Sequence, residues 1–407
     1  MKVSQLYTLV NGVTKEVLGE SAVINEDLSN VVDIGKAIFD TANVDNYVKK
    51  LVDHIGKVIF VNRVYSGGVP SVLMDGWEFG SVLEKISTGL PDAQENKSWD
   101  LTDGQDYSPN EFKKPDVQAK FFNSKVTFEI QMSFTELQLK SAFSSAEQLN
   151  GFVSMLLTSV ENSMTVKIDG LIMRAINNMV AETLVDDLGT GTAGSKTLDF
   201  SKSGVKAINL LKLYNDSVPP ANVISAVNCL SNPDFIRFAT YKIALYSDRM
   251  TKISKLFNVG KQPRFTPSDL QNVIFLSDFA KASETFLLST TFNPDRVTLP
   301  AHDTVPYWQG SGTDYAFKSI GVIDVKTASG ETVKLPFEGN TKGNKNAAIL
   351  GVICDKEAVA VANTDRRTTV QYNARAEFYN NWFKADAQYI NDLNENCIVF
   401  FVGETVA

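Results

Sequence analysis

Residues 145–184 read SAEQLNGFVSMLLTSVENSMTVKIDGLIMRAINNMVAETL. Leu149, Phe152, Val153, Leu156, Leu157 and Val160 recur at the spacing of one helix face. Met164, Ile168, Leu171, Ile172, Ala175 and Met179 continue the stripe. The spacing predicts one uninterrupted helix. Ser144 with Glu147 fits a capping box at its start. Gly151 and Gly170 are tolerated, each costing about 1 kcal/mol relative to Ala. At about 1.5 Å per residue such a helix spans about 60 Å, far beyond the usual helix of about 11–12 residues. It has no heptad seam, and no apolar run of membrane length.

On the N-terminal side, residues 1–45 are weakly patterned, with Val3, Leu6, Leu9 and Val10 on one side of a short helix. Val48, Leu51, Val52 and Ile55 predict a helix from Val44 that Gly56 ends. Strand-like segments follow at residues 58–61, 71–74 and 77–79. Residues 87–124 are polar and rich in turn formers, yet carry Trp99, Tyr107, Phe112, Phe121 and Phe122. Structureless loops of that length are uncommon inside a compact domain, and disordered linkers are poor in aromatics. A projecting arm that docks on a partner fits both facts. Beyond it, Val126, Phe128, Ile130 and Met132 alternate on one strand face, as the return of a long two-stranded hairpin would.

On the C-terminal side, residues 203–300 look mixed. Helices are expected around Val205–Leu213 and Phe235–Ile243 and from Asp278. Strands are expected at residues 222–227 and 273–276. Residues 301–346 read as Gly-rich hairpin sequence. Residues 348–353, 358–361 and 398–402 alternate as strands. The fold class is therefore α+β.

Composition limits the chemistry. The 407 residues carry a net charge of −8, and no basic cluster stands out, so tight non-specific DNA binding is not expected. Cys229, Cys354 and Cys397 are widely spaced and read as buried small hydrophobes rather than a disulfide framework or zinc site. Neither a signal peptide nor a membrane span is found, which places the expected site of synthesis and use in the cytoplasm. Residues 189–194 match G-x-G-x-x-G, but they follow a helix and Asp186-Asp187, which would repel phosphate, and no helix opens after them. A glycine turn is the better reading. Asp100, Asp103 and Asp106 lack calcium-loop spacing. His54 and His302 are the only histidines, and no nucleophile or metal motif surrounds either. No catalytic, cofactor-binding or metal residue is assigned, and no enzyme activity is expected. Lys113-Lys114 and Arg366-Arg367 read as solvated surface charges, with an inter-subunit salt bridge as the sharper alternative.

The order of parts resembles the major capsid (head) protein of tailed bacteriophages, with its Hong Kong 97-like fold. Asp355-Lys356-Glu357-Ala358-Val359, Tyr372-Asn373-Ala374-Arg375-Ala376-Glu377, Asn394-Glu395-Asn396-Cys397-Ile398-Val399-Phe400 and Val305-Pro306-Tyr307-Trp308-Gln309-Gly310 are similar to head proteins of phages infecting Gram-positive bacteria. The resemblance implies an N-terminal arm over 1–45, a first P-domain part over 46–86 and an extended E-loop over 87–124. It implies a P-domain with a spine helix over 125–199, an A-domain over 200–345 and closing strands over 346–407. It makes Trp99, Tyr107 and Phe112 inter-subunit contacts of the E-loop. Its partners would be other copies of itself in hexamers and pentamers, a portal protein, and double-stranded DNA enclosed with little specific contact. A separate scaffolding protein is expected, because a first P-domain helix near Val44 leaves no room for a fused scaffold domain. No cofactor and no membrane are implied. Two rivals are a cellular encapsulin-type shell of the same fold and a nucleotide-binding enzyme using the Gly189–Gly194 turn.

Overall fold

The computed structural model describes residues 3–19, 25, 30–39, 44–61, 69–74, 83–88, 95, 102–106, 110, 114, 117–122, 124–192, 196–288, 299–306, 308, 323–327, 330, 332–335 and 347–404. In chain order its elements are α1 (Val3–Leu18), α2 (Val31–Phe39), α3 (Val44–Val61), β1 (Leu73–Met74), β2 (Leu83–Thr88), β3 (Val117–Phe122) and β4 (Lys125–Thr135). Next come α4 (Glu136–Ala142), α5 (Ala146–Leu188), β5 (Gly189–Thr190), β6 (Thr197–Leu198), β7 (Ala207–Asn209), α6 (Leu210–Asn215) and α7 (Pro233–Met250). They are followed by β8 (Gln271–Leu276), α8 (Ser277–Leu288), β9 (Asp303–Val305), β10 (Ile323–Lys326) and β11 (Thr332–Leu335). The chain closes with β12 (Ala347–Asp355), β13 (Val359–Asn373), β14 (Phe378–Asn391) and β15 (Cys397–Gly403). The class is α+β, as expected.

The long helix is α5, 43 residues, about 65 Å at 1.5 Å per residue. Its cap lies one residue later than expected: Ser145 accepts from the Gln148 backbone N–H at 3.2 Å. A helix that long meets several cores. Its first half buries Leu149, Val153, Leu156, Val160 and Met164 with α1, α3, α4 and β14. Its second half, from Ile168 to Leu188, packs where two sheets converge. A four-stranded sheet has the order β1-β13-β14-β4, and a five-stranded sheet the order β7-β15-β12-β8-β9.

Period-2 alternation assigns the two faces of β15. Cys397, Val399 and Phe401 face α5; Ile398, Phe400 and Val402 face α6, α7 and α8. In β12, Ala347 and Ile349 belong to the α5 side, but so do Val352 and Cys354. A bulge between Ile349 and Gly351 shifts the parity by one residue and keeps the apolar side chains inside. Gly351 lies there because an added Cβ would run into the Phe275 ring.

Several expectations are corrected. The segment 58–61 is the last turn of α3, not a strand, and Gly56 does not end that helix. A short apolar run fits either element, and the established helix propagates through it. Residues 222–227 form no ladder, and Val223 and Val227 are exposed. The Asn215 amide bonds both the C=O and the N–H of Ile224, at 2.9 and 3.1 Å, replacing a strand partner. The helix expected over 205–213 is strand β7 followed by α6, because Asn209 caps the helix at Lys212. Strand β14 was not foreseen. It lies between β13 and β4, and its buried Asn381, Asp386 and Gln388 break the apolar pattern.

The described parts of the expected arm dock on their own chain. Val10, Val13 and Ile38 are fully buried with α3 and α4, and Thr14 Oγ1 donates to Val10 O. The cysteine reading is also corrected. Cys354 and Cys397 are opposite each other in the β12–β15 ladder and joined as a disulfide, whereas Cys229 is free and buried. A sequence separation of 43 says nothing about which residues two strands bring face to face.

Candidate assembly interface

Strands β2 and β3 pair antiparallel from Leu83↔Phe122 to Thr88↔Val117 and join no other described strand. They bracket residues 89–116, the core of the excursion expected to project. Trp99, Tyr107 and Phe112 lie outside the described residues. An isolated two-stranded ribbon is marginal in water, so what its two faces meet decides how it stands.

One face carries exposed apolar side chains. Ile86 is 64% exposed, Val117 53% and Phe121 63%. The opposite face carries Lys85 and Lys120, directly across the ladder from each other. Both reach the turn between β14 and β15. Lys85 Nζ lies 2.7 Å from Glu395, 2.8 Å from Glu357 and 3.2 Å from Asp392. Lys120 Nζ lies 2.8 Å from Asp392. Arg264 Nε reaches Glu395 at 3.3 Å. The Asp392 and Glu395 side chains are almost wholly buried, at 2% and 8% exposed.

The same turn is fixed from within. Asp392 N–H donates to Ala358 O at 2.8 Å, Glu395 N–H to Asp392 O at 3.2 Å, and Asn394 N–H to the Asp392 carboxylate at 3.0 Å. Burial alone would push the Asp392 carboxyl up. The Lys120 and Asn394 hydrogen bonds and the two lysine charges outweigh it, so its pKa is held below the ordinary value. Burial would lower Lys85, but its carboxylate partners win and hold it above the usual lysine range. The result is a ribbon clamped by charge on one side and offering apolar side chains on the other. That combination suits a surface that docks on another protein.

Other residues singled out from sequence have structural partners. Gly189 and Thr190 pair with Leu198 and Thr197, and Gly191 takes a φ of 118°. The Asp187 carboxylate accepts the N–H of Lys206 and Ala207 at 2.7 and 2.8 Å, and Lys206 pairs with Asp186. The turn therefore closes α5 onto β7. His302 Nδ1 lies 2.8 Å from Pro300 O, with its ring against Phe275. His54 sits on α3. Arg367 is exposed, as a solvated surface charge would be, and pairs with Asp365 at 2.9 Å and Asp386 at 3.1 Å within the chain. Asp103 and Asp106 are exposed beside a turn at Gly104. Among the described residues no group of three or more His, Cys, Asp and Glu side chains is placed to hold a metal ion, and no helix is long and apolar enough to cross a membrane.

The clamp residues were not foreseen, because Lys85 and Lys120 lie about 270–310 positions from their acids in the chain. The available signal was small: two lysines at matching positions of two strands, and an Asp-Leu-Asn-Glu turn between long strands.

Residues 10–401 match the family model described as Phi29-like phage major capsid protein. The chain belongs to that family. It is a phage major capsid protein, as the resemblance in its sequence implied. The major capsid protein of Bacillus phage GA-1 is 25% identical over 171 residues. That match spans 37% of this chain and 34% of the relative, so it covers about a third of the relative's length. The capsid structure of Staphylococcus phage Andhra aligns over 84% of this capsid protein and 86% of that chain, with 10% identity and a TM-score of 0.48. The capsid structure of cyanophage P-SCSP1u aligns over 85% and 92%, with 10% identity and a TM-score of 0.41.

Proposed function

We propose that this capsid protein builds the closed head shell of a phage from hexamers and pentamers of itself, around double-stranded DNA, without catalysing a reaction. In this reading residues 1–45 are the arm, 46–86 and 125–199 the P-domain with α5 as its spine, 87–124 the E-loop, 200–345 the A-domain and 346–407 the closing strands. Trp99, Tyr107 and Phe112 are aromatic anchors that the E-loop sets on a neighbouring copy. A separate scaffolding protein and a portal protein complete the assembly in the bacterial cytoplasm.

The observation that carries this reading is the β2–β3 ribbon. Its lysine face is bound to the body of its own chain, and no described residue covers its exposed Ile86, Val117 and Phe121. A subunit whose adhesive surface is buried only in a lattice has this form. Aromatic anchors then supply much of the contact energy, about 2 kcal/mol or more for each hot-spot residue. The test is a Trp99→Ala/Phe112→Ala double variant with the scaffolding protein supplied. Unchanged melting with loss of particles in negative-stain images is expected. Normal particles, or unfolding of the free subunit, would remove these residues from the interface.

A further inference from the structure

Between α7 and β8 the chain makes a loop with an unusual surface. Residues 249–264 hold five basic side chains and no acidic one, in a chain of net charge −8. The loop is rigid. Ser254 and Arg264 exchange backbone hydrogen bonds of 2.9 and 3.0 Å, and Thr266 N–H donates to Met250 O at 2.7 Å. Gly260 N–H donates to Leu393 O at 2.8 Å, and Cys397 N–H to Phe257 O at 2.8 Å. The Asn258 amide closes on Gln262. Lys261 even holds a φ of 52°, a conformation that non-glycine residues adopt only when their surroundings impose it.

On this frame Ile253, Leu256 and Phe265 are 56%, 58% and 53% exposed. Ile253 and Phe265 stand across from each other at the same end of the antiparallel Ser254–Arg264 bridge. Lys252, Lys255 and Lys261 are exposed around them. Arg264 is held by Glu395; the three lysines have no carboxylate partner among the described residues. A surface of apolar side chains ringed by cations that no described carboxylate pairs suits a partner that is both acidic and apolar. A phosphate backbone would leave the three apolar side chains without a partner.

The chain contains a segment of that chemistry. Residues 92–111 carry six acids against Lys97 alone, together with Trp99, Leu101 and Tyr107. Glu95, Asp103 and Asp106 of it are described and exposed. The 28 residues between Thr88 and Val117 reach out and back about 45 Å at full extension, enough to cross to another molecule. We infer that the loop 249–265 is the seat on which residues 92–111 of a second copy dock. This is a head-to-tail contact, which closes rings when its rotation closes. The inference rests on the shell-subunit reading and names the surface that the E-loop engages.

The experiment uses the full chain with the scaffolding protein supplied, followed by sedimentation and negative-stain imaging. The triple variant Lys252→Glu/Lys255→Glu/Lys261→Glu should keep its melting temperature and lose at least nine-tenths of its particles. Adding Asp100→Lys/Asp103→Lys/Asp106→Lys should restore them. As a second readout, single-cysteine variants Lys255→Cys and Asp103→Cys are mixed under oxidation during assembly. A crosslinked dimer should form only in the mixture. Particle yield unchanged in the triple variant overturns the inference. So does rescue by Glu20→Lys/Glu26→Lys/Asp27→Lys in place of the excursion swap, or a loss of bound DNA without loss of particles. Should the unaltered chain form no particles at all, the shell reading itself fails, which is a different result.

Discussion

Leu156 is 3% exposed in the core shared by α5, α3 and β14. Truncating a buried leucine removes both its transfer free energy and the support of its neighbours. Leu156→Ala should lower unfolding stability by about 2–5 kcal/mol in a denaturant titration of the free subunit; Leu156→Asp should abolish soluble folding, since the charge would be buried without a partner. Asp392 gives a second prediction at this scale. Its folded pKa is depressed, so its contribution is full above the ordinary carboxylate range of about 4 and fades as the pH falls through the folded value. Acid should release the ribbon from the β14–β15 turn before the cores unfold. The readout is faster proteolytic cutting at residues 89–116, with a pepsin-type protease, while far-ultraviolet dichroism holds. Asp392→Asn should shift that release to neutral pH. A ribbon equally protected at every pH would show that the clamp does not hold it.

At the scale of elements, the β2–β3 ribbon and α5 answer differently to loss. Among the described residues of the excursion none belongs to the three cores, and shortening a loop changes closure entropy by only about 0.6 kcal/mol per halving. Replacing residues 93–112 by a short Gly-Ser linker should therefore leave melting nearly unchanged and stop assembly; unfolding by the same replacement would mean that the excursion packs on its own body. Among the elements, α5 was legible because periodicity accumulates over 43 residues. The strand β4 was legible because Phe128 and Phe134 alternate with exposed neighbours. The same logic missed β14, whose centre buries Asn381 and Asp386 against partners on β4 and β13: Asn381 Nδ2 donates to Met132 O at 3.1 Å, and the Asp386 carboxylate accepts from Thr127 at 2.6 Å and Arg367 at 3.1 Å. A buried polar side chain looks exposed until its partner is known.

At the scale of the molecule, α5 runs through the cores of both sheets, and the β14–β15 turn joins the ends of both with the ribbon and the loop after α7. Expressed without a scaffolding protein, the chain should yield monomers, capsomers or irregular sheets and tubes under negative stain; uniform closed shells of one size would show that it sets its own curvature. Local pattern by itself determined the long helix, the α+β class and the long polar stretch, because those signals lie in neighbouring residues; the family likeness lay in the order of the parts and in particular stretches of sequence. Only the tertiary structure decided the strand order, the bulge at Gly351, the Cys354–Cys397 pairing, the docking of α1, the lysine clamp and the basic, apolar loop 249–265. Each of these depends on residues far apart in the chain being brought opposite one another, and no local period records a register that is set by packing.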